Sequence, residues 1–210
     1  MKPPVPRLLL ITDSALCADL PRAVADTLAG GVRHVLLREK QMPAGPLTRL
    51  AHTLLTLTTA HGAHLLLHDR VDVALDVGAA GVHLPACGLA TSAARRLLPH
   101  ALLGRSCHTV AEAVQACQDG ADYVTLSPLF ATRSHPEATP LGVTRFAAMR
   151  SQVPGPVLAL GGIRPDNAVD ALRTGADGLA LMRGILNAPR PRQAAEELLS
   201  QIFRELPMHG

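Results

Sequence analysis

A short pattern that recurs four times constrains the fold of this chain more than any other feature of its sequence. In each copy a helical stretch ends at a glycine, small residues follow, and a short apolar run comes next. The copies occupy residues 30–37, 78–84, 120–126 and 175–181. Each starting glycine stands where the end of a helix favours a left-handed residue. The apolar runs lack two-residue alternation, which is typical of parallel strands buried on both faces, so the pattern predicts a parallel α/β protein.

Four further apolar runs bring the number of strand candidates to eight. They cover residues 8–12, 64–68, 101–104 and 157–160. Helical stretches alternate with them, and the seventh of these begins at Pro165. Eight strand–helix pairs predict a compact (β/α)8 TIM barrel, a fold that typically takes about 250 residues. The competing fold is a doubly wound open sheet, but Thr12-Asp13-Ser14 replaces the glycine-rich turn expected after its first strand.

Composition and charge restrict the class of protein further. Hydrophobic residues make up 48% of the chain and charged residues 18%, which allows a sizeable core and excludes disorder. No linker divides the sequence, so we expect residues 1–210 to form one barrel domain. The longest apolar runs are too short for a membrane span or a secretory signal. The basic residues are dispersed and not interleaved with aromatics, so we expect a cytoplasmic protein that binds neither nucleic acid nor membrane.

Glycines after the seventh and eighth strands indicate a phosphate site. In a TIM barrel the active site is built from the residues that follow the strands. Gly161-Gly162 follows the seventh strand, and Met182-Arg183 follows the eighth, just before Gly184. Backbone N–H groups at these two places form the usual phosphate site of such barrels. Gly161-Gly162 could also be only a tight turn, but the second glycine turn favours phosphate.

Charged residues after the second and third strands suit an anionic substrate. Arg38 and Lys40 place two cations at the mouth, although an ion pair with Glu39 or Asp69 is an alternative role for them. His68 and Asp69 are adjacent, so their side chains point to opposite faces of a strand. Both can line the mouth only where the strand has already turned.

The fifth and sixth strands lead to the remaining candidates. Ser106 and His108 follow the fifth strand, and an imidazole titrates near neutrality, which suits proton transfer. A histidine at such a place is as often structural as catalytic. A loop of about ten residues after the sixth strand carries Thr132, Ser134 and His135, and long loops on barrels are often functional lids.

Over nearly its whole length the chain resembles the thiamine phosphate synthase/TenI superfamily. The resemblance is carried by Leu37-Arg38-Glu39-Lys40, Gly81-Val82-His83-Leu84, Gly104-Arg105-Ser106-Cys107-His108-Thr109, Gly161-Gly162 and Gly175-Ala176-Asp177-Gly178. These motifs are highly specific for the superfamily and imply the barrel. The superfamily has two branches, which differ in their chemistry.

In the synthase branch, hydroxymethylpyrimidine diphosphate is joined to thiazole phosphate with release of diphosphate, and the enzyme needs Mg²⁺. The resemblance implies that Asp69 is one metal ligand. The second Asp of that pattern is missing from Pro85-Ala86-Cys87-Gly88, and the lysine of the loop after the sixth strand is also missing. Mg²⁺ is usually recruited by carboxylates together with substrate phosphate. Synthase activity with Mg²⁺ is therefore the alternative expectation.

The tautomerase (TenI-type) branch matches this chain at Leu84-Pro85-Ala86 and at the Gly-Arg-Ser-x-His stretch. Enzymes of that branch need no cofactor and aromatise a thiazole carboxylate phosphate by moving one proton. The resemblance implies His108 as the catalytic acid and base, phosphate on Gly161, Gly162, Met182 and Arg183, and Arg38 facing the carboxylate. The expected substrate-binding set is Arg38, Lys40, His68, Asp69, Ser106, Thr132, Ser134 and His135.

We therefore expect an isomerase of thiamine biosynthesis whose partner is a small phosphorylated thiazole. A pyrimidine diphosphate would be a further ligand under the synthase alternative. A non-catalytic barrel that binds such phosphates is a third reading, since fold alone does not fix function. A homodimer is compatible with barrels of this kind.

Overall fold

Eight parallel strands form a closed barrel in which every strand lies between its neighbours in sequence, and β8 pairs with β1. The computed structural model describes residues 2–134 and 136–206. The strands are β1 Leu8–Ile11, β2 His34–Leu37, β3 His64–His68, β4 Gly81–Leu84, β5 Leu102–Cys107, β6 Tyr123–Leu126, β7 Val157–Leu160 and β8 Gly178–Leu181. This closed order confirms the predicted (β/α)8 barrel and excludes the open sheet.

Helices surround the barrel and alternate with its strands. They are α1 Leu20–Ala29, α2 Ala44–Ala60, α3 Val71–Val77, α4 Thr91–Leu97, α5 Val110–Gln118, α6 Gly142–Arg150, α7 Ala168–Arg173, α8 Arg183–Leu186 and α9 Pro191–Glu205. The short helix α8 was not predicted, and α7 begins at Ala168 rather than at Pro165 because residues 165–167 form a turn. No helix in the described part of the chain is long and apolar enough to cross a membrane.

The interior and the outer layer of the barrel are both apolar, which explains the unbroken hydrophobic runs. One set of strand side chains points inward and fills the barrel: Leu9, Ile11, Leu36, Leu66, Leu102, Tyr123, Leu158 and Ala180. The alternate residues of each strand pack under the helices in a second, larger cluster. Because both faces of each strand are buried, the sequence shows no two-residue alternation.

Two predicted local features differ from the structure. Gly30 has an ordinary φ of −77°, and the left-handed residue after α1 is Gly31, with φ of 101°. Strand β5 continues past Gly104 to Cys107, so Ser106 lies within the strand and not after it. Its side chain points into the barrel, since it is two and four residues from the inward Gly104 and Leu102.

Two histidines occupy the amino-terminal end of the barrel interior. His34 is buried and its ring lies against that of His64, with 5.1 Å between ring centroids. Burial and the neighbouring His64 lower the pKa of His34 to about 4. Its Nε2 atom is buried and finds no hydrogen-bond partner in the described part of the chain. His34 is therefore an uncharged part of the core at neutral pH.

We predict that this imidazole makes the fold sensitive to mild acid. The unfolded chain binds a proton at His34 below about pH 6.5, whereas the folded chain does so only near pH 4. The free energy of unfolding is thus fully present above about pH 6.5 and falls as the pH drops, by up to about 1.4 kcal/mol per pH unit for this group. Urea unfolding at about pH 7 and about pH 5 should show a smaller difference for His34→Leu than for the wild type. Equal differences would contradict this assignment.

Candidate functional site

A cavity of about 590 Å³ opens at the carboxyl-terminal end of the barrel. It brings together eight of the predicted site residues, all of which lie in the segments that follow β2, β5, β6, β7 and β8. They are Arg38, His108, Thr132, Ser134, Gly161, Gly162, Met182 and Arg183. Lys40, His68, Asp69 and Ser106 do not line this cavity. The predicted His135 lies outside the described residues.

The glycine turn after β7 forms one wall of the cavity. Gly161 and Gly162 have φ of 107° and 65°. A Cβ atom on Gly161 would lie 2.8 Å from Pro128, and one on Gly162 would overlap the Ala131 carbonyl oxygen. Asn167 fastens the turn, because its Nδ2–H donates to the Gly162 carbonyl at 3.0 Å. Only glycine allows the segment after β6 to pack so closely against this turn.

The base of the loop after β6 is pinned to the same turn. The Leu129 N–H donates to the Leu160 carbonyl at 2.8 Å, and the Phe130 N–H donates to the Gly161 carbonyl at 3.0 Å. The returning end of the loop is joined to its start, because the Gly142 N–H donates to the Leu129 carbonyl at 3.0 Å. Loop base and glycine turn therefore form one structural unit.

The cavity carries a strongly cationic lining. Among the described lining residues are four arginines, Arg38, Arg133, Arg164 and Arg183, and no carboxylate. Arg164 pairs with Asp166 outside the lining, at 3.0 Å. The Nε of Arg183 is buried and has no hydrogen-bond partner among the residues that the structure describes. This lining suits a ligand with more than one negative charge.

The ion pairs considered for Arg38 and Lys40 are not formed among the described residues. Glu39 is held elsewhere, because the Thr12 hydroxyl donates to its Oε1 at 2.9 Å and the Ser14 hydroxyl donates to its Oε2 at 2.7 Å. Arg38 is half-buried, and this burial lowers the pKa of its guanidinium. Its charge is therefore free for a ligand.

His108 is fixed in one orientation at the start of α5. Its backbone N–H donates to Glu112 Oε2 at 2.7 Å, beside a capping box that Thr109 and Glu112 form at the start of the helix. Its ring Nδ1 lies 2.9 Å from the Ser127 carbonyl oxygen. A carbonyl can only accept, so Nδ1 carries a proton in this contact. In the neutral ring, Nε2 is then the basic atom, available to a molecule in the cavity.

Lys40 belongs to a neighbouring depression and not to the main cavity. This depression is formed by residues 13–15 and 38–42, and Arg38 lines both. Lys40 is exposed there. The prediction that Arg38 and Lys40 face one ligand together therefore requires a molecule that extends beyond the main cavity.

His68 and Asp69 have different surroundings, and the strand has already turned at the second of them. His68 ends β3 and lies half-buried, and burial together with Arg38 and Lys40 lowers its pKa to about 4. Asp69 has a φ of 64°, so the strand turns sharply at this residue. Its side chain lies against Gly88, where an added Cβ would be 2.7 Å from Asp69 Oδ1.

Ser106 makes a contact that the sequence analysis did not find. Its Oγ lies 2.9 Å from Nε2 of the buried His83, and His83 Nδ1 lies 3.2 Å from the hydroxyl of Tyr123. His83 lies within the apolar strand β4, two residues after Gly81, so the two residues share one face of the strand. This spacing is the one sequence signal that could have placed His83 in the barrel interior. Its partners become visible only through the register of β4, β5 and β6.

The donor set around Asp69 does not fit the magnesium site of the synthase branch. Asp69 Oδ1 lies against Gly88, and residues 85–88 contain a cysteine but no carboxylate. Mg²⁺ prefers oxygen ligands in octahedral geometry. Within the described residues no three histidine, cysteine or acidic side chains come together as a metal site.

Comparison with known proteins identifies the family. Residues 8–185 match the family model described as thiamine monophosphate synthase. The chain belongs to this family. A Geobacter sulfurreducens relative is 45% identical over 92% of both chains, and a Chloroflexus aurantiacus relative named thiamine-phosphate synthase is 40% identical over 91% of this chain and 90% of its own. The structure of thiamine phosphate pyrophosphorylase from Pyrococcus furiosus superposes with a TM-score of 0.88 at 34% identity, covering 95% of this chain and 96% of that one.

As a member of this family, the protein is an enzyme of thiamine biosynthesis. The match confirms the predicted superfamily, and the superposition confirms the predicted barrel. The relatives' names point to the transferase branch rather than to an isomerase. The family covers both reactions, so the choice between them depends on the site.

We predict that Gly162→Ala weakens binding of inorganic phosphate to this family member at least about tenfold, because the clash with Ala131 displaces the backbone of the turn. Gly78→Ala is the matched control, because its φ of 69° is nearly the same, it follows α3 and does not line the cavity, and no described atom lies within 4 Å of an added Cβ. Calorimetric titration should show the loss for Gly162→Ala alone. Equal losses in both variants would mean that backbone strain, and not the turn, is responsible.

Proposed function

We propose that this protein is a thiazole tautomerase, which aromatises a thiazole carboxylate phosphate in thiamine biosynthesis. The observation that carries the proposal is the composition of the cavity: four arginines and an oriented imidazole, with no carboxylate among its described lining residues. Such a lining suits a substrate with two anionic groups and a reaction that needs proton transfer but no metal.

The two anionic groups have separate candidate partners. The glycine turn at Gly161 and Gly162, together with Met182 and Arg183, suits the phosphate, because bare backbone can approach it closely. Arg38 lines the cavity directly after β2, which β1 separates from β8 in the barrel, and its guanidinium suits the carboxylate. A substrate held at both ends would present its ring to the space between them.

His108 supplies the chemistry in this proposal. Nε2 accepts the proton from ring C2, and the electron pair of the broken C–H bond moves into the ring. The protonated imidazole then returns a proton to the exocyclic carbon, so the product is an isomer of the substrate and the ring becomes aromatic. The Ser127 carbonyl at 2.9 Å from Nδ1 keeps the ring oriented and stabilises the transient positive charge.

Thiamine phosphate synthase is the second candidate, and the names of the relatives favour it. Arg38 and Lys40 could both serve a diphosphate under that reading. The site offers Asp69 as a metal ligand, but residues 85–88, which lie against it at Gly88, contain no carboxylate, and within the described residues no group of three potential metal ligands forms. This donor set is the reason for placing the synthase second.

We expect His108→Ala to lower the rate of aromatisation at least about a hundredfold, because it removes the only proposed proton carrier. His52→Ala is the control, since His52 is exposed on α2 and does not line the cavity. The measurement is the ultraviolet absorbance change when EDTA-treated protein meets the non-aromatic thiazole carboxylate phosphate.

A rate no faster than the spontaneous reaction would reject the tautomerase. The same protein would then be given the pyrimidine diphosphate, thiazole phosphate and Mg²⁺, and formation of thiamine phosphate would establish the synthase. Binding of these phosphates without turnover in either assay would leave a non-catalytic binder.

A further inference from the structure

Three consecutive carbonyl groups at the glycine turn after β7 are each held by a hydrogen-bond donor. The carbonyls of Leu160 and Gly161 accept backbone N–H groups from the segment after β6, at 2.8 and 3.0 Å. The Gly162 carbonyl accepts the Nδ2–H of Asn167 at 3.0 Å. Asn167 is therefore the one side chain among the three donors, and it can be changed without altering the backbone of the turn.

These three contacts also determine where the N–H groups of the turn point. The peptide bonds of the turn are trans. In a planar trans peptide the carbonyl and the N–H group point in opposite directions. The Ile163 N–H shares its peptide with the Gly162 carbonyl, so it points away from Asn167. By the same geometry, the N–H groups of Gly161 and Gly162 point away from the segment after β6.

The N–H groups directed in this way are free to bind a ligand. Within the described residues, the N–H groups of Gly161, Gly162 and Ile163 are donated to no acceptor of the chain. All three residues line the cavity, and the Ile163 side chain packs in the core, so its backbone is the part that can face a ligand. Arg183 lines the same cavity, and its buried Nε has no partner in the described part of the chain. Successive backbone N–H groups that point together bind anions.

The side chain of Asn167 serves this turn and not the helix that it precedes. Asn167 is the N-cap residue of α7, where an asparagine ordinarily accepts an N–H group from the first turn of the helix. Its side chain makes no such bond. Its Oδ1 instead accepts the Arg164 N–H at 2.8 Å, while its Nδ2–H donates to Gly162. A flipped amide would place donor against donor and acceptor against acceptor, so the two partners fix its orientation.

We propose that Asn167 is a positioning residue, which holds the Gly162–Ile163 peptide so that the Ile163 N–H donates to the substrate phosphate. This inference rests on the proposed function, in which the phosphate binds at this turn, and it adds Ile163 as a donor and Asn167 as the group that directs it. An uncharged amide suits the task because it donates and accepts at once. A carboxylate could not donate to the carbonyl and would repel the anion.

Asn167→Ser separates the turn from the helix. Serine is an equally good N-cap residue, so the variant should remain folded, but its short side chain cannot bridge Gly162 and Arg164. We expect it to bind inorganic phosphate about tenfold more weakly than the wild type, because the Ile163 N–H is no longer held in place. Calorimetric titration gives the affinity, and circular dichroism checks the fold. Wild-type affinity in this variant would overturn the proposal.

A second pair of variants separates positioning from charge. Asn167→Asp keeps an acceptor for the Arg164 N–H but cannot donate to the Gly162 carbonyl, so it should lose at least as much phosphate affinity as Asn167→Ser. Asn187→Asp is the matched control, because Asn187 is exposed directly after α8 and lines the same cavity. It adds the same charge without changing the turn and should lose less affinity. Equal losses in Asn167→Asp and Asn187→Asp, with none in Asn167→Ser, would contradict the positioning role.

The amide spectrum tests the geometry directly and needs no assay of activity. In a ¹H–¹⁵N correlation spectrum of the wild type, inorganic phosphate should shift the signals of Gly161, Gly162 and Ile163, because each N–H gains a charged acceptor. In Asn167→Ser the Ile163 signal should respond less, while the Gly161 signal still moves, since its peptide is held from the segment after β6. No response of Ile163 in the wild type, or an equal response in both proteins, would overturn the proposal.

Failure of this inference differs from failure of the proposed function. A wild type that binds phosphate at these N–H groups but does not aromatise the thiazole carboxylate phosphate rejects the tautomerase and keeps the role of Asn167. A wild type that aromatises it, with unchanged phosphate affinity in Asn167→Ser, keeps the tautomerase and rejects the positioning role.

Discussion

The closure of the barrel by the pairing of its first and last strands determines where every functional residue can lie. Leu8 and Leu10 of β1 stand in register with Leu179 and Leu181 of β8. This pairing removes both sheet edges and directs all eight strands toward one mouth. It also brings the segment after β8 beside β1 and β2, so that Arg183 and Arg38 line one cavity although 145 positions separate them in the sequence.

Two of the carboxylates that precede strands bind backbone N–H groups and arginines at the end of the barrel opposite to the mouth. Asp122 and Asp177, each just before a strand, serve the amino-terminal end of the barrel. Asp122 accepts the Leu103 N–H at 2.8 Å and pairs with Arg95, and Asp177 accepts the Val157 N–H at 2.8 Å and pairs with Arg150. The Gly-Ala-Asp motifs thus join neighbouring strands at one end, which leaves the other end rich in arginine.

Much of the fold could be predicted because glycine positions and unbroken apolar runs are local signals. The rule that barrel sites lie after strands placed Gly161, Gly162 and His108 together, and the structure has all three in the lining of one cavity. Ser106 was placed wrongly, as a residue after β5, because nothing in the sequence shows that this strand continues beyond Gly104. The partnership of His83 with Tyr123 was missed, since the residues that meet inside a barrel are determined by register between strands and not by spacing along one of them. The position of Lys40 in a separate depression likewise depends on the path of the loop after β2.

The interlocking of Phe130 with Gly161 has a thermodynamic consequence. The segment that leads into the long loop after β6 and the glycine turn after β7 are joined by hydrogen bonds and packed closely against each other. A change that stabilises one arrangement of the loop base therefore also changes the free energy of the glycine turn. Under the proposed function, whatever favours the arrangement of the loop base would also tighten the binding of the substrate phosphate, and by reciprocity bound phosphate would favour that arrangement by the same factor. The order of the loop base and the affinity for the charged end of the substrate would then be two expressions of one equilibrium.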